Sequence, residues 1–205
     1  MRTLLLFFAT AVSALPQFSV GVKAGVPLTD FFTTVRSPNF GFNSNTKRYI
    51  VGPSVQLGLP GGLAVELDAL YRRLNYEGSG TLADVLTNNR TTGNAWEFPL
   101  LLKYRFPAPV ARPFLSAGVA WDTLSGLKQS ISTRLNLTET SEPKELENKT
   151  TTGFVLGAGV EVRAPFVRVI PEIRYTRWGS HHFRDAAGSL LSNRNQAEFL
   201  LGFTF

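Results

Sequence analysis

Asn195-Gln-Ala-Glu-Phe-Leu-Leu-Gly-Phe-Thr-Phe205 decides the reading of the whole chain. Ala197, Phe199, Leu201, Phe203 and Phe205 share one parity. Glu198, Gly202 and Thr204 share the other, with Leu200 its apolar exception. Successive side chains of a strand point to opposite faces, so this alternation predicts a β-strand with one apolar face and one small or polar face. Such a strand left as a soluble edge would pair with other chains and aggregate. The stretch therefore needs a partner strand, an apolar solvent, or both.

The same pattern recurs upstream, giving eight strand-like segments in all. From about Gln17 to Phe32, Val20, Val22, Ala24 and Val26 oppose Ser19, Gly21, Lys23 and Gly25. Tyr49, Val51, Val55 and Leu57 oppose Gly52, Ser54 and Gln56. Leu63, Val65, Leu67 and Tyr71 oppose Glu66, Asp68 and Arg72. Trp96, Phe98, Leu100, Leu102, Tyr104 and Phe106 oppose Glu97, Lys103 and Arg105. Leu115, Ala117, Val119 and Trp121 oppose Ser116, Gly118 and Asp122. Phe154, Leu156, Ala158, Val160 and Val162 oppose Gly157, Gly159, Glu161 and Arg163. Val167, Val169, Ile173 and Tyr175 oppose Arg168, Glu172 and Arg174.

The connections alternate in length. Pro60–Gly62, Pro107–Ala111 and Ala164–Phe166 are short, whereas Thr33–Arg48, Glu77–Gly93, Thr123–Thr151 and Gly179–Arg194 are long and polar. Short turns on one rim and long loops on the other, between alternating segments, predict an all-β fold: an eight-stranded antiparallel up-and-down transmembrane β-barrel. Aromatic residues sort by height on the apolar face. Tyr49, Tyr71, Trp96, Trp121 and Tyr175 form a belt at the long-loop ends, and Phe18, Tyr104, Phe106, Phe203 and Phe205 lie at the short-turn ends. Two belts on one face match the two interfaces of a bilayer. Prolines 27, 53, 99, 113 and 171 oppose a regular ladder and call for bulges or strand ends.

Composition agrees. One domain fits 205 residues, and the absence of Cys excludes a disulfide framework, a thiol nucleophile and a cysteine zinc site. Sixteen Phe and 18 Gly suit a barrel. The net charge of +6 is spread along the chain rather than gathered in a run, which speaks against nucleic acid as a partner. Met1-Arg2, the apolar run Leu4–Ala11 and the small residues Val12-Ser13-Ala14 predict a secretory signal over residues 1–14, with the barrel domain over 15–205.

Val20-Gly-Val-Lys-Ala-Gly-Val26, Phe98-Pro-Leu-Leu-Leu-Lys-Tyr104, Pro113-Phe-Leu-Ser-Ala-Gly-Val119, Gly157-Ala-Gly-Val-Glu161, Pro171-Glu-Ile-Arg-Tyr175 and the final Phe205 together resemble the small bacterial outer-membrane β-barrels of the OmpA/OmpX type, the porin-family outer membrane barrel domain. The resemblance covers the length of the predicted barrel. It implies the bacterial outer membrane as location, reached by export and signal cleavage. It implies a monomer in contact with membrane lipid and lipopolysaccharide. It also implies an assembly signal, Phe199, Leu201, Phe203 and Phe205, read by the barrel assembly machinery. It does not imply an activity.

By parity the interior receives Lys23, Glu66, Asp68, Arg72, Glu97, Lys103, Arg105, Glu161, Arg163, Arg168, Glu172, Arg174 and Glu198. Eight strands enclose room for side chains and little else. Charges there must pair, so a lumen plugged by an ion-pair network is expected. The alternatives are a narrow porin-like channel, a lipid-modifying enzyme, and a soluble exported binding barrel. Ser180, His181, His182 and Asp185 supply nucleophile, imidazole and carboxylate groups in one loop, but without a nucleophile-elbow pattern. They read as solvated loop residues, with no catalytic, cofactor or metal site implied. Asn89, Asn136 and Asn148 match glycosylation sequons and read as polar loop residues. Functional recognition is expected in the long loops, including Arg36, Lys47, Arg48, Lys144, Glu145, Glu147, Lys149, Arg184 and Arg194, toward a ligand the sequence does not name.

If Phe205 carries the assembly signal, Phe205→Ala reduces the folded fraction in whole envelopes far more than Thr204→Ala. Heat-modifiable gel migration reads that fraction, and equal fractions for the two variants refute the assignment.

Overall fold

A computed structural model describes residues 17–34, 40–44, 48–82, 85–133, 136–141, 146–183 and 190–205. The segment expected to be a signal lies outside them, as do Arg36, Lys47, Lys144, Glu145, Arg184 and Asp185. Eight staves make the wall: β1 Gln17–Pro27, β2 Ile50–Gly58, β3 in two pieces (Leu63–Asp68 and Leu70–Leu82), β4 Val85–Arg105, β5 Ala111–Thr133, β6 Thr150–Arg163, β7 Arg168–Trp178 and β8 Asn195–Thr204. Each pairs antiparallel with the next in sequence, and β8 returns to β1 through Val22↔Phe203, Ala24↔Leu201 and Val26↔Phe199. The sheet is a closed eight-stranded barrel.

Alternation sets the facing. Along β8 burial runs in strict period two, with Gln196, Glu198, Leu200, Gly202 and Thr204 inside. Phe199, Phe203 and Phe205 are exposed, Phe205 at 72%. Up to the level of Tyr71 and Tyr175 the outer wall is apolar, from Phe18, Val20 and Val22 on β1 to Leu100 and Leu102 on β4 and Ile173 on β7. Aromatic rings gather at its ends. Tyr49, Tyr71 and Trp96 follow one another around the wall, with centroids 6.4 and 5.2 Å apart. Tyr104 meets Phe106 edge-on at 5.0 Å at the other end. Tyr71 and Tyr175 each donate a hydroxyl hydrogen bond of 2.8 Å to an asparagine, Asn94 and Asn195, one level nearer the long-loop rim. An apolar ring body with a polar tip turned outward is what an interfacial belt requires.

The turns fall as expected. Pro60–Gly62 forms a 3-10 turn in which Gly61 and Gly62 take φ of 75° and 82°, a backbone region open to glycine. The prolines find distinct solutions. Pro53 sits beside the break in β3, where its carbonyl accepts from Ala69 N at 3.0 Å. Pro113 accepts from Phe106 N beyond the end of β4, and Pro27 closes β1. Pro99 and Pro171 remain inside regular register opposite Ala120 and Leu201.

Two expectations change. The first segment ends at Pro27 rather than Phe32, and Phe32–Thr34 pairs separately with Leu190–Ser192. Three of the long links are also more regular than their polarity suggested. β3 and β4 stay paired out to Leu82↔Val85, and β5 continues to Thr133. Phe40–Ser44 and Asn136–Ser141 add flanking strands at this end. Beyond the apolar wall no face must meet lipid, so period two disappears from the sequence while Thr-rich polar strands still pair.

Leu100, 39% exposed and midway between the two aromatic ends of β4, should face the bilayer midplane. Leu100→Arg is then expected to destabilise the folded barrel by about 2–4 kcal/mol in reversible unfolding from lipid vesicles. A change within error would show that β4 is misplaced in depth.

Candidate functional site: a layered charge network in the lumen

Glycine and serine on the inner face leave room for long charged side chains. A Cβ at Gly157 would overlap Ser116 Oγ and Glu172 Oε1, and one at Gly153 would lie 2.7 Å from the Trp178 ring. Into that space the staves send charges in three layers.

The middle layer holds Lys23 on β1, Glu66 and Asp68 on β3, Lys103 on β4, and Glu172 and Arg174 on β7. Lys23 Nζ lies 2.5 Å from Glu66, 3.1 Å from Asp68 and 3.0 Å from Glu172. Lys103 Nζ reaches the other oxygen of Glu66 at 2.6 Å and sits 4.1 Å above the Phe114 ring. Arg174 Nη2 spans the barrel to Asp68 at 2.9 Å, Glu172 at 3.2 Å and Glu66 at 3.4 Å. Three bases meet three acids, and the Lys103 and Arg174 side chains are wholly buried. Nearer the short-turn rim, Glu161 pairs with Arg105 at 2.9 Å and Arg168 at 3.0 Å, and Arg168 also bonds Ser19.

Nearer the long-loop rim, Arg72 faces three carboxylates. It bonds Asp122 at 2.6 Å and lies 3.3 Å from Glu198 and 3.9 Å from Glu97, with Gln196 accepting a further bond at 2.9 Å. His182 closes this layer from above, with Nε2 3.3 Å from Asp122 Oδ2. Over it lies an apolar collar of Phe31, Leu74, Ala95, Leu124 and Phe183.

The structure thus brings Lys23, Glu66, Asp68, Arg72, Glu97, Lys103, Arg105, Glu161, Arg168, Glu172, Arg174 and Glu198 into one stack. Arg163 is a correction. It shares their parity but is exposed at the short-turn rim, opposite Arg168, because the strand has already left the lumen there. Asp122 was legible on the polar face of its strand yet absent from the expected network. The inner face is also less polar than expected. Leu101, Ala120, Val155 and Trp178 form one inward cluster, and Ile50, Leu70 and Leu200 another.

The loop histidines are a second correction. His182 is 3% exposed and not solvated. Its Nδ1 lies 2.7 Å from the Asn148 carbonyl, and His181 Nδ1 lies 2.7 Å from the Ser192 carbonyl. Ser180 Oγ bonds Thr151 Oγ1 at 2.7 Å. The serine and the imidazoles are engaged with different partners. Among the basic loop residues, Arg48 pairs with Asp30 at 3.0 Å in the open, and Arg194 Nε donates to the Trp178 carbonyl. Glu147 and Lys149 are exposed.

A closed eight-stranded wall with apolar exterior, paired aromatic belts and charged interior is the architecture of one group of proteins. The family model described as "Outer membrane protein beta-barrel domain" matches residues 3–204. The chain belongs to this family. Its place is the bacterial outer membrane. No curated protein matches it in sequence. Among solved structures, the outer membrane protein OprG of Pseudomonas aeruginosa is similar at 10% identity, covering 92% of this chain and 95% of that one, with a TM-score of 0.57. The N-terminal barrel domain of Pseudomonas aeruginosa OprF is 18% identical over 93% of this chain and 99% of that one, with a TM-score of 0.40. Neisserial surface protein A is 14% identical over 91% and 95%, with a TM-score of 0.44. The likeness to OprG carries the fold.

Removing one partner of a buried ion pair leaves the other charge uncompensated, at a typical cost of about 3–5 kcal/mol. Arg174→Ala is expected to lose that much in urea unfolding, whereas Arg48→Ala, whose pair is exposed, should lose no more than about 1 kcal/mol. Similar losses for the two variants would show that the lumen charges are hydrated rather than paired.

Proposed function

We propose that this protein is a closed, non-enzymatic outer-membrane barrel that acts through its long-loop end in envelope integrity, adhesion or surface recognition. The observation that carries the reading is the filled lumen. Arg174 on β7 reaches Asp68 on β3 across the lumen, Lys23 on β1 reaches Glu66 on β3 and Glu172 on β7, and Lys103 pairs with Glu66 on the neighbouring stave, all with no more than 2% of the basic side chains exposed. A neutral, cross-linked layer in so narrow a scaffold offers a solute no continuous aqueous path. The apolar collar around Phe31 and Phe183 adds a second closure.

The non-enzymatic reading is supported by the separate engagement of Ser180, His181 and His182, since catalysis needs nucleophile, base and orienting group within mutual reach. The long-loop end, read as extracellular, supports recognition because it carries polar paired strands on a rigid base. Arg73 and Arg177 stand exposed on the outer wall one step above the Tyr71 and Tyr175 belt positions. Arginine forks at that level match the phosphates of lipopolysaccharide. Signal cleavage after Ala14 and recognition of Phe199–Phe205 by the assembly machinery complete the reading as steps of biogenesis.

Planar-bilayer recording tests closure. The wild type is expected to show no steady conductance, and Arg174→Ala, which removes the side chain that spans the middle layer, is expected to raise it. A wild type that conducts steadily, unchanged by Arg174→Ala, overturns the closed reading in favour of a narrow channel.

A further inference from the structure

Four guanidiniums converge on the short-turn mouth of the lumen. Arg105 ends β4, Arg112 lies at the start of β5, Arg163 ends β6 and Arg168 begins β7. Each stands two residues from a buried, inward-facing residue of its own strand: Lys103, Phe114, Glu161 and Ile170. Alternation therefore turns all four toward the same opening. Arg112 and Arg168 stand near enough to Arg105 to repel its charge. The buried Phe114 ring lies just inside them, against Gly159, and gives the opening an apolar lining at that depth.

Their counter-charge is short. Among the described residues, Glu161 is the one acid within ion-pair distance of these groups, 2.9 Å from Arg105 and 3.0 Å from Arg168. Arg105 Nε meets it without a directed hydrogen bond, and Arg168 spends a second nitrogen on Ser19. Arg112 donates from Nε to the Ala108 carbonyl at 3.1 Å. Neither Arg112 nor Arg163 has an ion-pair partner among the described residues, the chain-terminal carboxylate included. Arg163 also stands directly opposite Arg168 in the β6–β7 ladder. Like charges so placed destabilise a strand pair, and an anion beside them removes the cost. The backbone holds the arrangement in place. Arg163 N donates to the Val110 carbonyl at 3.2 Å, and Ala164 N to the Val167 carbonyl at 2.9 Å, which fixes two short turns side by side.

We propose that the short-turn mouth is an oxyanion-binding site for a phosphate group, carried by a membrane phospholipid headgroup or by a small solute on the side away from the long loops. Arg112 and Arg163 bring guanidinium donors that no acid occupies. Arg105 and Arg168, anchored by Glu161, add positive charge from the opposite side of the opening. Guanidinium forks match the paired oxygens of a phosphate, and the bonds are strengthened by charge on both partners. The bound anion sits beside the Arg163–Arg168 pair and supplies the negative charge that the chain leaves out. Val110 and Phe166, 61% and 92% exposed on the adjoining turns, offer apolar contact to a lipid that enters headgroup first. The inference does not depend on closure of the lumen or on the role of the long-loop end.

The full chain, folded in maltoside micelles that carry no phosphate, is titrated with inorganic phosphate against chloride at constant ionic strength. Nitrogen NMR follows the arginine Nε–H resonances. Phosphate is expected to move Arg105, Arg112, Arg163 and Arg168 together along one saturable curve and to leave Arg48, paired with Asp30, in place. A second arm adds phosphatidylglycerol to the micelles in phosphate-free buffer. Movement of the same four resonances there assigns the site to lipid headgroups, and movement with the soluble ion alone assigns it to a solute. Either result supports the site. Arg163→Gln alters an exposed residue outside the paired layers, so heat-modifiable migration should show the barrel folded. The variant is expected to weaken binding about tenfold, the scale of one hydrogen bond to a charged group. Arg73→Gln, at the other end of the barrel, is expected to leave phosphate binding unchanged. No movement in either arm, movement that chloride reproduces, or an affinity that survives Arg163→Gln overturns the site.

Discussion

Closure of the ladder between β1 and β8 is the constraint on which the rest depends. Val22↔Phe203 and its neighbours leave the wall without an edge, and in lipid every backbone N–H and C=O must find its partner inside the protein. Closure also divides the side chains absolutely. One parity enters hydrocarbon and the other enters a space eight strands wide. Charges on the inner parity then find their partners among the other inner-parity side chains or in the loops that cover the mouth. The charge stack is the consequence. Lys23, Glu66 and Arg174 meet in the lumen because their staves all turn this parity into the same narrow space.

The layers differ in what holds them. The middle layer balances its charges and is buried. The upper layer has acid to spare and is completed by a loop, since His182 arrives from outside the wall to meet Asp122. Phe31 shows how tightly the two parts are joined. Its ring stacks on His182 and also lies 4.9 Å beneath the Arg72 guanidinium. An aromatic face attracts the guanidinium and stacks on the imidazole. The mouth is therefore built jointly by wall and loops, and the apolar collar above it keeps the ion pairs in a low dielectric, where they are strongest.

The wall was legible because period two is a property of adjacent residues. Phe199 to Phe205, the two aromatic belts and most of the network follow from parity alone. The failures within the wall share one physical cause: parity gives facing but not height. Arg163 faces inward and yet lies below the lumen, while Leu74 and Leu124 face inward and lie above the charges, in a collar that tolerates apolar side chains. The paired strands beyond the bilayer lost their signal because neither of their faces must be apolar. His182 was illegible for another reason. A loop residue has no register, and its contact with Asp122 spans 60 positions that only the closed barrel brings together.

An apolar lumen would at first sight be the more stable choice, since a buried ion pair recovers its desolvation cost only with good geometry. That choice is closed to a chain bound for the outer membrane. Strands apolar on both faces would read as continuous hydrophobic runs, and a run of about 20 residues is held in the first bilayer as a helix. Alternating each apolar side chain with Gly, Ser or a charge keeps mean hydropathy at +0.01. No helix among the described residues is long and apolar enough to cross a membrane. Lys23 between Val22 and Ala24, or Lys103 between Leu102 and Tyr104, therefore serves two ends. In the unfolded chain it breaks an apolar run, and in the folded barrel it becomes part of the paired charge layer inside the lumen. The cost of burying it is offset once, by the partners that closure supplies.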